Sequence, residues 1–193
     1  MKVGVLAFQG AVREHINMLK MAGAYPIPVK KEEELNDVDA LILPGGESTV
    51  IGKFLRETGL GKIIVEKAKN GMPIWGTCAG MILLAKKIVN EDYVHLGLMD
   101  IWVRRNAYGS QLDSFIVRKV VPAVSEKPLE LVFIRAPYAE KAGPNVEVLL
   151  ELDGKIVAAR QGNLLATAFH PEVTGDPSFH KYFLDIIAFY TKK

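Results

Sequence analysis

Cysteine is nearly absent from this chain: among 193 residues only Cys78 carries a thiol. That excludes a disulfide within the chain and an all-cysteine metal site. It also fits a reducing compartment, with the cytoplasm as the default. Blocks of like charge are missing too. The 24 Lys and Arg and the 22 Asp and Glu are interspersed and leave a net charge of +2, so nothing in the charge pattern indicates nucleic acid as a partner. No uninterrupted apolar stretch approaches the length that spans a bilayer, and no membrane association is expected. The opening Met-Lys-Val runs straight into a strand-like segment, so no secretion signal is expected. Repeats and low-complexity tracts are lacking. With 49% hydrophobic residues, the chain can build one substantial core and is short for two. A single domain over 1–193 is therefore expected.

What is present is an alternation of buried strands and amphipathic helices. Lys2-Val3-Gly4-Val5-Leu6-Ala7-Phe8 is a continuous apolar run of the kind a central strand shows. After the turn at Gln9-Gly10, Val12, Ile16 and Leu19 recur at helical spacing until Gly23. Tyr25 to Lys30 reads as a strand that Pro26 and Pro28 push toward a sheet edge. Glu32, Glu33 and Glu34 read as a solvated turn or short helix. Asp39 to Leu43 is another buried strand, followed by helical patterns around Val50 to Glu57 and Lys62 to Asn70. This order predicts a mostly parallel α/β sheet with helices on both faces. In the second half, Ile101 to Val103, Ser114 to Val121, Leu129 to Ile134, Val146 to Leu152, Lys155 to Arg160 and Leu164 to Phe169 are short strand-like runs, with Asp153-Gly154 as a hairpin turn. Antiparallel or mixed strands are expected there, extending the sheet or folding beside it. A helix with an apolar stripe is expected from about Ser178.

The stretch around Cys78 organises the rest. Met72-Pro73-Ile74-Trp75 leads into Gly76-Thr77-Cys78-Ala79-Gly80 and then into an apolar, helix-forming run to Lys86. Glycine two residues before and two after a nucleophilic atom is the pattern of a nucleophile elbow, in which a sharp strand-to-helix turn leaves no room for flanking side chains. The turn would put the thiol at a helix N-terminus, which favours thiolate, and would aim the Ala79 N–H at a developing oxyanion. On this pattern alone, catalysis and a buried, inert thiol both stand.

A catalytic thiol needs a base, and the base an orienting group. His15, among Arg13, Glu14 and Asn17, reads as lying on the polar side of the first helix, His95 in a loop and His180 in the last helix. Surface or packing roles fit these three. His170 differs because it emerges at the end of the Leu164 to Phe169 strand, where site loops gather in a parallel sheet. Pro171 pushes His170 toward an extended conformation, in which residues i and i+2 point the same way. Glu172 could then hold one ring nitrogen and leave the other for Cys78. The loop Pro44-Gly45-Gly46-Glu47-Ser48 lacks the Gly-Lys-Ser/Thr ending of a phosphate loop. It suits a second oxyanion donor at Gly46 and a carboxylate, Glu47, for a substrate ammonium. Arg105, after a strand, and Arg135, at the end of another, suit a substrate carboxylate. An ammonium and a carboxylate together describe an amino acid, although either arginine could instead make an internal salt bridge.

Gly76-Thr77-Cys78-Ala79-Gly80 with Phe169-His170-Pro171-Glu172 resembles the triad-type, class I glutamine amidotransferases. Within that group, Gln9-Gly10-Ala11-Val12-Arg13-Glu14-His15, Pro44-Gly45-Gly46-Glu47-Ser48-Thr49, Arg105-Asn106-Ala107-Tyr108-Gly109, Asp113-Ser114-Phe115 and Phe133-Ile134-Arg135-Ala136-Pro137 resemble the glutaminase subunits of pyridoxal phosphate synthases. Ser110 departs from that pattern, where many members carry arginine. The resemblance implies the three-layer, flavodoxin-like amidotransferase fold. It implies Cys78 as nucleophile, His170 as base and then acid, and Glu172 as orienter. Gly46, Glu47, Ser48, Arg105, Ile134 and Arg135 would contact L-glutamine, and Gly46 and Ala79 would supply the oxyanion donors. The implied partner is a separate (β/α)-barrel synthase subunit in a large hetero-oligomer. Pyridoxal phosphate would be the product of that complex, and no cofactor or metal is expected in this chain. Gln9 and Gly10, beside the oxyanion loop, are the candidate activation switch. Two other readings remain: the glutaminase of another synthase, such as that of histidine biosynthesis, and a non-catalytic amidotransferase-like protein that keeps the cysteine for redox sensing or binding.

Overall fold

The computed structural model describes residues 1–105 and 114–191. Its first part follows the expected alternation: β1 (Lys2–Leu6), α1 (Val12–Met21), β2 (Tyr25–Val29), a short α2 (Glu32–Asn36), β3 (Ala40–Leu43), α3 (Ser48–Glu57), α4 (Leu60–Lys69) and β4 (Ile74–Thr77). β1 lies between β2 and β3 in parallel register, and β3 pairs in parallel with β4. β2, with its two prolines, is the edge strand. Two missing N–H donors cost least where one side of the strand has no partner.

Beyond β4 the chain passes Cys78 into α5 (Ala79–Leu84) and then directly into β5 (Ala85–Ile88). The expected helix to Lys86 is thus shorter. The last α5 carbonyls are taken by the Leu96 N–H on Leu83 and the Leu98 N–H on Leu84, both at 3.0 Å, while Ala85 pairs with Met99. Then follow β6 (Met99–Arg104), β7 (Ser114–Val121), β8 (Ser125–Ile134), β9 (Tyr138–Ala142), β10 (Glu147–Leu152), β11 (Lys155–Gln161), β12 (Leu164–Thr167), a 3₁₀ turn (Pro171–Val173) and α6 (Ser178–Thr191). β9 is a strand that sequence patterning does not reveal. The Asn106 to Gly109 segment, Ser110 and Asp113 lie outside the described residues.

Among the described residues, ten strands form one sheet in the order β2-β1-β3-β4-β12-β11-β9-β6-β5, with β10 on β11. β7 and β8 form a separate antiparallel ribbon. Both expectations for the second half are therefore met, since some strands extend the sheet and others fold beside it. β12 returns to the centre and pairs in parallel with β4, Ala166 opposite Gly76 and Thr167 opposite Thr77. That single pairing sets the segment leading to His170 beside the segment leading to Cys78. Helices cover both faces. Trp75 meets Phe179 and Phe183 of α6 on one side, while Gly76, its neighbour on the opposite side, lies under α5. No helix among the described residues is long and apolar enough to cross a membrane.

Candidate active site

The elbow is a main-chain construction. Cys78 has φ +48° and ψ −105°, a conformation that L-residues seldom adopt and that persists only where surroundings enforce it. Its N–H donates to the Thr167 carbonyl at 2.8 Å, and its carbonyl accepts from Met81 N–H at 3.0 Å. The flanking glycines are required by contact. A Cβ on Gly76 would fall 2.3 Å from the Gly80 carbonyl oxygen, and one on Gly80 would fall 2.1 Å from that of Leu43. Ala79 opens α5, so its N–H has no acceptor within the helix.

His170 follows β12, and its N–H donates to the Val132 carbonyl of β8 at 2.8 Å. Its Nδ1 lies 2.6 Å from Glu172 Oε1, which leaves Nε2 for another partner. The backbone route differs from the expected extended dipeptide. Residues Pro171–Val173 form a 3₁₀ turn, with His170 at φ −108° and ψ 82° before it. The proline does keep His170 out of the helical region, but a tight turn brings Glu172 back onto the ring. Glu172 is buried at 4% exposure. Burial pushes its carboxyl pKa up, but His15 and the hydrogen bond and charge of His170 outweigh that and hold it below the usual value. Burial likewise opposes a charge on His170, but the hydrogen bonds and charge of the neighbouring Cys78 and Glu172 side chains raise its pKa to about 10. The ring is thus disposed to carry the proton. The Cys78 sulfur also approaches the Ile134 carbonyl at 3.9 Å.

A cavity of about 300 Å³ opens over these groups, lined by Cys78, Ala79 and His170, by Gly46, Glu47 and Ser48, and by Arg105, Ile134 and Arg135, with Gln9 and Gly10 at its side. All the residues singled out from the sequence meet here, apart from Glu172, which is buried behind His170. The glycine loop is fitted to its neighbours. A Cβ on Gly45 would fall 2.5 Å from His170 Cε1, and one on Gly10, at φ +99°, would strike the Gly45 carbonyl oxygen. The Glu47 N–H donates to Gln9 Oε1 at 2.8 Å, and the Ala11 N–H to the Gly45 carbonyl at 3.1 Å. Gln9 and Gly10 are therefore stitched to the loop that bears Gly46.

Both arginines carry ion pairs. Arg105 Nη1 donates to Tyr93 Oη at 3.0 Å and lies 3.5 Å from Glu91. Arg135, at φ +44°, lies 3.7 Å from Glu47. Partly exposed pairs of this kind contribute little to stability, so their position on the cavity wall is the more informative property.

His15 is not where the sequence reading put it. It is fully buried, with Nδ1 3.0 Å from His180 Nε2 and Nε2 3.0 Å from Thr77 Oγ1. The signal was available. Position 15 is three residues after Val12 and four before Leu19, squarely on the apolar stripe of α1. His180 is equally buried, in keeping with a packing residue.

Residues 5–188 match the SNO glutamine amidotransferase family. The chain belongs to that family. It is 60% identical to "Pyridoxal 5'-phosphate synthase subunit PdxT" of Thermoanaerobacter sp. (strain X514), over 95% of this chain and 98% of that protein. It is 55% identical to the protein of the same name from Clostridium beijerinckii, over 95% and 97%. A solved structure described as "Crystal structure of glutamine amidotransferase" superposes with a TM-score of 0.91 at 45% identity, covering 96% of this chain and 98% of that one. As a glutamine amidotransferase, the chain has a fold and a family chemistry that agree with the cavity just described.

Proposed function

We propose that this chain is the glutaminase subunit of a pyridoxal phosphate synthase, with residues 1–193 acting as one glutaminase domain in the cytoplasm. The observation that carries the reading is the 2.6 Å contact between His170 Nδ1 and Glu172 Oε1 behind a cavity that also receives Cys78 from its strained turn. In this reading the Cys78 thiolate adds to the side-chain amide carbon of L-glutamine. The oxyanion is held by the Gly46 and Ala79 N–H groups. His170, oriented by Glu172, protonates the departing ammonia and then activates water to hydrolyse the thioester to glutamate. Glu47 faces the substrate ammonium, Arg105 and Arg135 its carboxylate, and Ser48 and Ile134 complete the cradle.

Ammonia released into water is protonated and loses its nucleophilicity, so hydrolysis is tied to a second subunit that consumes it. That partner is a (β/α)-barrel synthase subunit that builds pyridoxal phosphate, within a large hetero-oligomer. Gln9 and Gly10 act as the switch, since the Gln9 side chain already holds the Glu47 N–H. Glutamate release from glutamine, measured with and without the barrel subunit, tests the whole reading. Hydrolysis should rise with the partner and fall at least about a thousandfold in Cys78→Ala. Hydrolysis that survives in Cys78→Ala ends the triad proposal. Partner stimulation that is equal in wild type and Gln9→Ala ends the switch proposal. Co-purification with a different synthase would identify another acceptor for the same ammonia.

A further inference from the structure

Glu172 has a second oxygen. Oε1 is engaged by His170, but Oε2 is buried and makes no conventional hydrogen bond among the described residues. The Nε2 of His15 lies 3.5 Å from it. Leaving a buried carboxylate oxygen without a donor is costly, and the cost falls if a polarised N–H faces it closely.

The surroundings decide which nitrogen of His15 carries the proton. If Nε2 is protonated, it faces Thr77 Oγ1 and the charged Glu172 oxygen, and Nδ1 accepts from a protonated Nε2 of His180. His180 Nδ1, which has no hydrogen-bond partner among the described residues, is then an unpaired acceptor. In the opposite tautomer a lone pair of His15 would face a carboxylate. The first arrangement avoids that repulsion, and burial disfavours charge on both rings. The ring also has little room to turn. Trp75 packs edge-on against it at 5.7 Å and against His180 at 4.9 Å.

We propose that His15 is a positioning residue of the reaction: its Nε2–H, set by His180, steadies the second oxygen of Glu172 so that the first stays on His170. This rests on the glutaminase reading of the site. The titratable groups facing His15 are Glu172 and His170 from the segment after β12 and His180 from α6, with Glu14 on its own helix. The role is electrostatic and geometric, since His15 does not line the cavity and touches no substrate.

Two substitutions separate the N–H from the bulk of the ring. His15→Met fills the space without a donor, and His15→Gln restores an N–H near the position of Nε2. The readouts are kcat and KM for glutamine hydrolysis in complex with the synthase partner, and the pH dependence of Cys78 alkylation by iodoacetamide on the full chain. The second is clean because Cys78 is the one cysteine.

In His15→Met, kcat should fall about three- to tenfold, as for a contact to a charged group that is longer than a full hydrogen bond, with KM within about twofold. The acid limb of Cys78 alkylation should move to higher pH by about half a unit or more, because a less steadied Glu172 holds the His170 charge less well. His15→Gln should recover most of both. Wild-type behaviour of His15→Met in both readouts, or equal impairment of the two variants, would overturn the proposal. If His15→Met does not fold, His180→Met must shift the alkylation limb in the same direction, and an unchanged limb would overturn it. Failure of the glutaminase reading looks different. Wild-type protein would then show the normal alkylation limb but release no glutamate, and the alkylation arm would still decide the role of His15.

Discussion

The two halves of the chain build one cavity by different physics. In the parallel half, β1 to α5, the decisive contacts are between main chains. Gly10 lies against the Gly45 carbonyl, Gly80 against that of Leu43, and Gly76 against that of Gly80. In the second half, beyond β5, the groups that reach the cavity are side chains at strand ends: Arg105 after β6, Ile134 and Arg135 at the end of β8, and His170 after β12, with Glu172 behind it. At these three glycines the first half has no room for an added atom, whereas the second half meets the cavity through side chains whose charge matters more than their exact shape. A stiff backbone cradle with exchangeable charged walls is what a fold needs if it is to keep one chemistry while adjusting how a substrate is held.

The sharpest way to break this contrast is to add one methyl group to the first half. Gly80→Ala would bring a Cβ to 2.1 Å from the Leu43 carbonyl oxygen, which belongs to a buried strand and has no room to retreat. Thermal or denaturant unfolding should show a loss of about 3 kcal/mol, with glutamine hydrolysis lost in parallel. A variant with native stability would mean that the elbow is softer than its contacts imply.

In the second half the matching experiment removes charge while relieving strain. Arg135 holds a positive φ of +44° and pairs with Glu47 at 3.7 Å. Arg135→Gly deletes the guanidinium and frees the backbone from a conformation that costs a non-glycine residue about 1 kcal/mol. KM for glutamine should rise about tenfold or more as a charge-assisted contact is lost, while the melting temperature holds or rises. A stability loss without a change in KM would assign Arg135 to structure instead of substrate.

The same contrast explains what the sequence reveals. Buried parallel strands such as Ala40–Leu43 are continuous apolar runs ending at glycine or proline, and their ends locate the site loops. Glycine spacing around Cys78 reports steric crowding that only main-chain proximity can create, so the elbow is legible before any coordinates. The second half hides more. β9, Tyr138-Ala139-Glu140-Lys141-Ala142, has no apolar pattern of its own and is a strand because it bridges β6 and β11. β5 follows α5 without a turn residue, and only the distant Leu96 and Leu98 N–H groups mark where the helix stops. His15 was misplaced because its charged neighbours Arg13 and Glu14 outweighed its place on the helical stripe. The His-Pro-Glu pairing was legible as chemistry, although the turn that achieves it was not.

A smaller effect is read in the pH dependence of stability, where buried histidines act with opposite signs. His95, against Gly52 of α3 in the first half, has its pKa lowered to about 4 by burial first and then by Arg56 and Arg105. A lowered folded-state value means that the unfolded chain takes up the proton first. Its contribution to stability is intact above about pH 6.5, the ordinary histidine value, and declines as pH falls from there toward 4. His15 and His180 are lowered as well and act in the same direction. His170 has the opposite sign. Its pKa is raised to about 10, so its contribution is complete below about pH 6.5 and is lost as pH rises through 10. Urea unfolding across this range should therefore give a curve with two limbs of separate origin. His95→Asn should flatten part of the acid limb and leave the alkaline one, while His170→Asn should flatten the alkaline limb and, by releasing Glu172, alter the acid one less. An acid limb that His95→Asn leaves unchanged would place that decline in the buried His15, His180 and Glu172, and would move the pH sensitivity of the fold to the groups directly behind the cavity.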